Sequence, residues 1–438
     1  MSVEVVTFGC RLNMVESEAM RRAAQEAGHE NIIIVNTCAV TAEAMRQARQ
    51  NIRRIGKEQP DKRIIVTGCG AQTEPETFAA LSEVTQVIGN ADKESATTWR
   101  ALKSALSPFA NDTRKNRVDD ISDFRSISAH VPAKIDGHTR GFVAVQNGCD
   151  HRCTFCIIPY GRGPSRSVPM GGVVDHIKAL VDAGQKEVVL TGVDLTSYGS
   201  DLPGAPSLGR LVQTILRHVP DLPRLRLSSI DSIEADAALF EALQTGQRLM
   251  PHLHLSLQSG DDMILKRMKR RHLRQDSVEF CQKTRELRPD IAFSADIIAG
   301  FPTETDAMFE NSLALVKECG LNFVHVFPFS ARAGTPAAKM PPVPAALIKA
   351  RATRLRAASA EANLGHLKAQ VGKTLTVLTE RGGIARTPDF TAVRLSGFEP
   401  NALVKATLTA LQQGQLQAVA TRTAPDAPTY ATAAAPQP

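Results

Sequence analysis

Short runs of Val and Ile alternate with amphipathic stretches through the first hundred residues. VEVVTFGC, NIIIVNTC and RIIVTGC each read as a buried strand that closes on a cysteine, at Cys10, Cys38 and Cys69. Helical periodicity lies between them, over Glu16–Ala27 and from about Ala42 to Lys57. Strand–helix–strand alternation predicts a parallel sheet with right-handed crossovers. The same rhythm resumes with apolar runs at 141–146, 186–192, 224–230, 252–258, 291–301 and 322–330. Amphipathic helices separate these, for example Val173–Ala183, Leu208–His218 and Asp306–Cys319. Six β/α units predict a partial or open barrel, short of the eight in a closed one. After a basic helix, Ile348–Lys368, the segment VGKTLTVLTE … TAVRLSG … ALVKATLTALQQGQLQAVAT alternates like short antiparallel strands. The fold class is therefore α/β with a small all-β module. Its expected divisions are a parallel-sheet domain (1–105), a polar linker (106–134, most clearly Ser104 to Ala133), a partial (β/α)6 barrel (135–367) and the β module (368–424). The Ala/Pro/Thr tail from Pro425 (425–438) is expected to be disordered.

A chain of 438 residues has enough length for several cores. Eight cysteines in that length do not suggest a disulfide framework, and thiolate sites need a reducing compartment. MSVEVVTFGC enters a strand directly, and no apolar run approaches the roughly 20 residues of a membrane span. A cytoplasmic location without membrane contact is expected. The formal net charge of +7 favours a polyanionic partner. The run Lys266-Arg267-Met268-Lys269-Arg270-Arg271 could contact phosphate, although such runs are more often solvated helix faces.

The chemistry concentrates in GCDHRCTFC. Cys149, Cys153 and Cys156 form a CxxxCxxC run, compact enough for one loop to hold three thiolates around one 4Fe–4S cluster. Three ligands leave one iron open, the mark of a reactive rather than a structural metal site. S-adenosylmethionine (SAM) could chelate that iron through its amino and carboxylate groups. Zinc would want a fourth ligand at regular spacing, and none follows; His151, inside the loop, is the only other soft ligand nearby. In a parallel sheet the carboxyl ends of all strands meet on one edge, so Cys10, Cys38 and Cys69 converge there as a second trio. One such cysteine would pass as a buried hydrophobe; three in succession point to a second cluster. Asp194, Ser228, Ser229, Gln258 and Asp296 sit at or near strand ends of the barrel and should form a polar mouth. Cys281 and Cys319 fall in helical stretches outside both trios and read as ordinary buried thiols.

These residues together resemble the methylthiotransferases, two-cluster members of the radical-SAM superfamily. The likeness runs through TFGCRLNMVES, VNTCAVT, VTGCGAQ, QNGCDHRCTFCIIPYGRGPSRS, VVLTGVD, LSLQSGDD, DIIAGFPTETD and FPFSARAGTPAA, nearly the whole chain. It implies a flavodoxin-like first domain with an auxiliary 4Fe–4S cluster on Cys10, Cys38 and Cys69, and a radical-SAM barrel with a SAM-binding 4Fe–4S cluster on Cys149, Cys153 and Cys156. It also implies SAM contacts near Glu187, Ser256 and Gln258, and an RNA-binding TRAM module at the carboxyl end. In that module Lys368, Lys373, Arg381, Arg386, Arg394, Lys405 and Arg422 outnumber Glu380, Asp389 and Glu399. A plain lid or oligomerisation domain is the alternative on charge alone. Two departures stand out: His272 replaces a common tyrosine, and Thr303 replaces a common glycine.

The implied reaction cleaves SAM to a 5′-deoxyadenosyl radical, removes an inert aromatic hydrogen, and installs sulfur and a methyl group. Family substrates are an adenosine beside the tRNA anticodon, carrying an isopentenyl or threonylcarbamoyl group, or an aspartate of a ribosomal protein. GCRLN and GIARTPDFTAVRL resemble the threonylcarbamoyl subgroup, which implies thiomethylation at C2 of N6-threonylcarbamoyladenosine 37. The implied partners are the tRNA anticodon stem-loop and an electron donor such as a flavodoxin or ferredoxin, with the enzyme a monomer. A non-catalytic iron–sulfur tRNA-binding or redox-sensing protein is the competing class, which the open iron in each trio argues against.

Overall fold

The computed structural model describes residues 3–91, 93–107, 114–125, 135 and 137–421; Arg422, the tail from Pro425 and much of 106–134 lie outside the described residues. The first sheet is parallel, its five strands lying side by side in chain order: β1 (Val3–Thr7), β2 (Ile32–Thr37), β3 (Arg63–Gly68), β4 (Val84–Ile88) and β5 (Asn116–Arg117). Alternate residues feed two cores. Ile33, Val35, Ile64 and Val66 meet Met45 and Ile52 of the helix Ala42–Glu58, while Ile32, Ile34 and Ile65 meet Met20, Ala24 and Trp99. Coverage on both faces explains why these strands read as unbroken apolar runs. β5 departs from expectation, because it lies in the segment assigned to the polar linker. It pairs with β4, and Ile121 just beyond it is buried.

The second unit carries β6 (Gly141–Ala144), a small antiparallel ribbon of β7 (Gln146–Asn147) and β8 (Arg166–Ser167), then β9 (Glu187–Thr191), β10 (Arg224–Leu227), β11 (Ser229–Ile230), β12 (His252–Gln258), β13 (Ala292–Ala299) and β14 (Phe323–Pro328). Apart from the ribbon the strands are parallel, in the orders β10-β9-β6 and β11-β12-β13-β14. A break at Ser228 lets one continuous stretch pair with β9 below and β12 above, joining the two sheets into an open barrel. Val143, Leu190, Leu225, Leu255, Phe293 and Ala295 form its apolar layer against the outer helices. The departure at Thr303 has a backbone reason. It lies at φ 69°, in the left-handed region, where glycine is at ease and a β-branched residue is strained. Its hydroxyl accepts from Arg267 Nη1 at 2.8 Å.

The helix Ala345–Gln370 runs along β14 and leads into a closed barrel of β15 (Thr374–Thr379), β16 (Ile384–Arg386), β17 (Ala392–Arg394), β18 (Leu403–Gln412) and β19 (Gln415–Ala420), ordered β15-β16-β17-β19-β18. Closure removes the exposed edges that short antiparallel strands would otherwise present. Among the described residues no helix is long and apolar enough to cross a membrane.

The seam between the two barrels is ionic. Glu187, fully buried, accepts from Arg140 Nε at 2.6 Å and Arg226 Nε at 2.9 Å, with Arg224 at 3.5 Å. Arg140 also pairs with Glu380 of the small barrel, and Arg226 Nη2 donates to Pro388 O at 3.0 Å. Burial pushes Glu187 up, but Arg226, Arg140 and Arg224 overcome it and hold the carboxyl at about 2. A depressed acid stabilises the fold above its unfolded pKa, and the contribution fades as pH falls from about 4.5 towards about 2. Glu187→Gln should therefore cost about 3–5 kcal/mol at neutral pH, since it leaves buried arginines uncompensated. Urea denaturation across pH should show the gap from wild type narrowing below that range's upper end.

Candidate active site

The first trio assembles at the carboxyl edge of the first sheet. Cys10 is the residue before the helix Arg11–Glu26, Cys38 directly follows β2, and Cys69 directly follows β3. Gly9, at φ 106°, lets the β1 loop close onto Cys38: a Cβ there would stand 3.0 Å from Cys38 Cβ and 3.2 Å from its Sγ. Asn13 ties the strand ends together, donating to Thr37 O at 3.2 Å while its Oδ1 accepts from Cys10 Sγ at 3.3 Å. Burial pushes the Cys38 thiol up to about 11, and Cys69 and Cys10 push it in the same direction, as thiols close to it would.

The second trio lies in the loop between β7 and β8. Cys149 Sγ donates to Asp194 Oδ2 at 3.6 Å, and the same oxygen lies 2.8 Å from His151 Nε2. Burial pushes Cys149 well up, with Asp194 adding to it; burial also takes Cys156 up to about 12. Burial raises Asp194, yet hydrogen bonds from His151 and Ser197 keep it below its ordinary value. Arg270 approaches Cys153 Sγ at 3.7 Å, donates to Ser256 O at 2.9 Å and pairs with Asp231 at 2.7 Å. Ser256 Oγ is 2.7 Å from Ser229 Oγ.

A buried ionic knot joins the trios. Arg162, six residues after Cys156, reaches Glu16 at 2.5 Å and Asn13 Oδ1 at 2.8 Å. Lys93 Nζ meets the other oxygen of Glu16 at 2.7 Å. All three charged side chains are about 2 % exposed. Burial works against the Arg162 cation, but Cys69, Glu16 and Cys10 keep its pKa raised. Gly161 backs onto the first trio; a Cβ on it would lie 3.3 Å from Cys69 Cβ. Arg332–Glu74 at 2.8 Å and the Ser330 hydroxyl accepting from Ala42 N at 3.2 Å extend the contact.

A cavity of about 1040 Å³ opens between the three units. Gly9, Cys10 and Arg11 line it from the first sheet, Ser228, Ser229, His254 and Asp296 from the open barrel, and Arg386 and Phe390 from the small barrel. Ser228, Ser229 and Asp296 thus meet as the strand pattern expects. Asp194 sits instead against Cys149, and Gln258, at φ 65° past a register shift in β12, does not line the cavity. Glu187 is a correction to the expected SAM contacts. It pairs beside the residue before Gly141, at the amino end of β9, whereas the cysteine loop follows the carboxyl end of β6. Arg267, Arg270 and Arg271 of the basic run are engaged with Thr303, Asp231 and Glu234, and Lys266, Lys269 and Arg271 are its exposed cations. Sequence reasoning missed Glu16, Lys93 and Arg162: Glu16 and Arg162 lie inside the quoted motifs with nothing to mark them out, and Lys93 lies outside them all.

The donor chemistry fits iron–sulfur clusters. Each trio offers three soft sulfurs, and no further cysteine is at hand, since Cys281 and Cys319 are buried in the barrel core, where the hydrogen bond from one to the other pushes Cys281 up. Buried thiols of raised pKa stay protonated until a metal displaces the proton.

Comparison with known proteins agrees. Residues 143–316 match the radical-SAM superfamily model, and residues 2–89 match uncharacterized protein family UPF0004. The threonylcarbamoyladenosine tRNA methylthiotransferase MtaB of Rickettsia prowazekii is 48% identical over 95% of this chain and 97% of its own. A tRNA-2-methylthio-N(6)-dimethylallyladenosine synthase of Novosphingobium aromaticivorans is 33% identical over 90% of this chain and 91% of its own. The radical SAM methyltransferase TsrM of Kitasatospora setae shares the fold, with TM-score 0.52 and 17% identity over 75% of this chain and 68% of its own. Fold and site define a radical-SAM enzyme, a transferase, flanked by an extra parallel sheet and a small barrel. Within that class the chain belongs to the tRNA methylthiotransferase family.

Proposed function

We propose that this enzyme adds a methylthio group to C2 of N6-threonylcarbamoyladenosine 37 in tRNA. The observation that carries the reading is the shared cavity, bordered by Cys10 of the first trio, the strand ends of the open barrel and the small barrel. An adenosine turned out of an RNA loop, as single-stranded bases are when recognised, could enter it. Cys149, Cys153 and Cys156 hold the 4Fe–4S cluster that binds SAM, and Cys10, Cys38 and Cys69 hold the auxiliary one. When bound, these groups and SAM supply homolytic hydrogen removal, the sulfur and the methyl group, chemistry no side chain here could perform.

The chain's own share is placement. Arg162, Glu16 and Lys93 fix the two cysteine loops relative to each other. Phe390 and Phe327 lend the cavity apolar wall. Lys368, Lys373, Arg381, Arg394 and Lys405 are exposed and suited to RNA phosphates. The threonylcarbamoyl rather than the isopentenyl substrate is supported by the naming of the Rickettsia relative and by the arginines lining the cavity, which would be poor company for an apolar tail. A flavodoxin or ferredoxin as reductant, a monomeric enzyme and a cytoplasmic setting complete the proposal.

Nucleosides from a strain lacking the gene should be missing 2-methylthio-N6-threonylcarbamoyladenosine alone. Loss of the 2-methylthio isopentenyl product in its place would reject the substrate.

A further inference from the structure

The arginines of the cavity do not all have partners. Arg11 follows Cys10, lines the cavity, and has its guanidinium carbon 5.9 Å from the Phe142 ring and 6.0 Å from the Phe390 ring. No hydrogen bond or ion pair engages that guanidinium among the described residues. Arg226 lines the same cavity, 4.7 Å from the Phe390 ring; it is 1% exposed, and its Nη1 is buried without a hydrogen-bond partner. His252 Nδ1 and Ser228 Oγ are also buried without partners along this lining.

The protein's own acids do not answer these groups. Asp296 is occupied by His254 at 2.9 Å, and Asp389 by Gln370 at 2.9 Å and His366 at 3.1 Å. Glu187 is already shared among three arginines. A partly enclosed guanidinium with no direct hydrogen-bond or ion-pair partner, beside a second cation, can receive an anion. The planar fork of arginine matches a carboxylate in particular.

We propose that Arg11, reinforced by the charge of Arg226, is a carboxylate-binding residue that takes the free carboxylate on the N6 side chain of the substrate nucleoside. The inference rests on the function proposed above and makes Arg11 the residue that selects the substrate. An RNA phosphate offers similar chemistry, so the test must separate the two sources.

Two anticodon stem-loop RNAs serve, one carrying N6-threonylcarbamoyladenosine and one its carboxamide, which keeps the shape and removes the charge. Wild type, Arg11→Gln and Arg11→Lys are compared at equal iron content. On the carboxylate RNA, Arg11→Gln should lower kcat/KM by about 10- to 100-fold, mostly through KM, with part recovered in Arg11→Lys. The carboxamide RNA should be poor for wild type and no poorer for Arg11→Gln. An equal loss on both RNAs would overturn the proposal in favour of a phosphate contact or a general effect on the site. A wild-type enzyme inactive on the carboxylate RNA but active on an isopentenyl RNA would instead remove the underlying function, and the subsite with it. Arg11→Lys keeps the comparison decisive if Arg11→Gln loads iron poorly.

Discussion

Cys38→Ser should lower the iron content from about eight to about four atoms per chain and abolish thiomethylation, while SAM is still cleaved. The separation follows from position. Cys38 belongs to the sheet edge with Cys10 and Cys69, whereas Cys149, Cys153 and Cys156 are held by the β7–β8 ribbon of another unit. The matching substitution, Cys153→Ala, should abolish SAM cleavage and leave RNA binding intact. Anaerobic iron and sulfide analysis, paired with chromatography of 5′-deoxyadenosine and of nucleosides, reads both variants. SAM cleavage that survived Cys153→Ala would refute the assignment of the second trio. Full iron content in Cys38→Ser would refute that of the first, and with it the methylthiotransferase chemistry proposed for this chain.

Glu16→Gln should be among the most destabilising single changes available at neutral pH, by about 3–5 kcal/mol. The amide keeps the shape of the side chain but leaves Arg162 and Lys93 buried side by side without their shared anion. Burial raises Glu16, but the charges of Arg162 and Lys93 outweigh that and hold it well below the usual carboxylate range. Its contribution is thus complete above the unfolded pKa near 4.5 and is lost as pH falls towards the folded value. Thermal or urea unfolding of the iron-loaded protein should show the loss at pH 7. The exposed pair Arg100–Glu26, at 3.2 Å, is the natural control, and its removal should change little. A near-neutral Glu16→Gln would mean that the joint between the cysteine loops does not depend on this knot.

The fold was legible where local pattern and tertiary role coincide. β2 is buried throughout because helices cover both of its faces, and its apolar run Ile32–Val35 marks the strand that leads to the cysteine. The six strands of the open barrel announced themselves in the same way. β5 did not, because two polar residues that complete a sheet edge carry no periodicity. Glu187 was misplaced for a different reason. Strand direction, which decides the end of the barrel a residue occupies, is a property of pairing, and its arginine partners arrive from β10 and the loop before β6. Glu16 resembles any acidic residue on a helix face. Its buried state depends on Arg162, 146 positions away, and on Lys93, 77 positions away, distances at which no window along the chain can relate them. The polar mouth was half legible: residue types and strand ends could be read, but the shift in β12 that turns Gln258 aside could not.

The helix Ala345–Gln370 has 26 residues and so extends about 39 Å. It is pinned along β14 at one end and enters the small barrel at the other, while the Glu187 seam stops that barrel from swivelling. The surface proposed above to take RNA and the reaction chamber are consequently held at a set distance, like the jaws of a caliper. Such an instrument gauges the span between the backbone it holds and the base it admits, so nucleotides at other positions fall out of reach whatever their chemistry. Discrimination among modified adenosines can then be delegated to a few side chains on the chamber wall and altered there without recalibrating the grip.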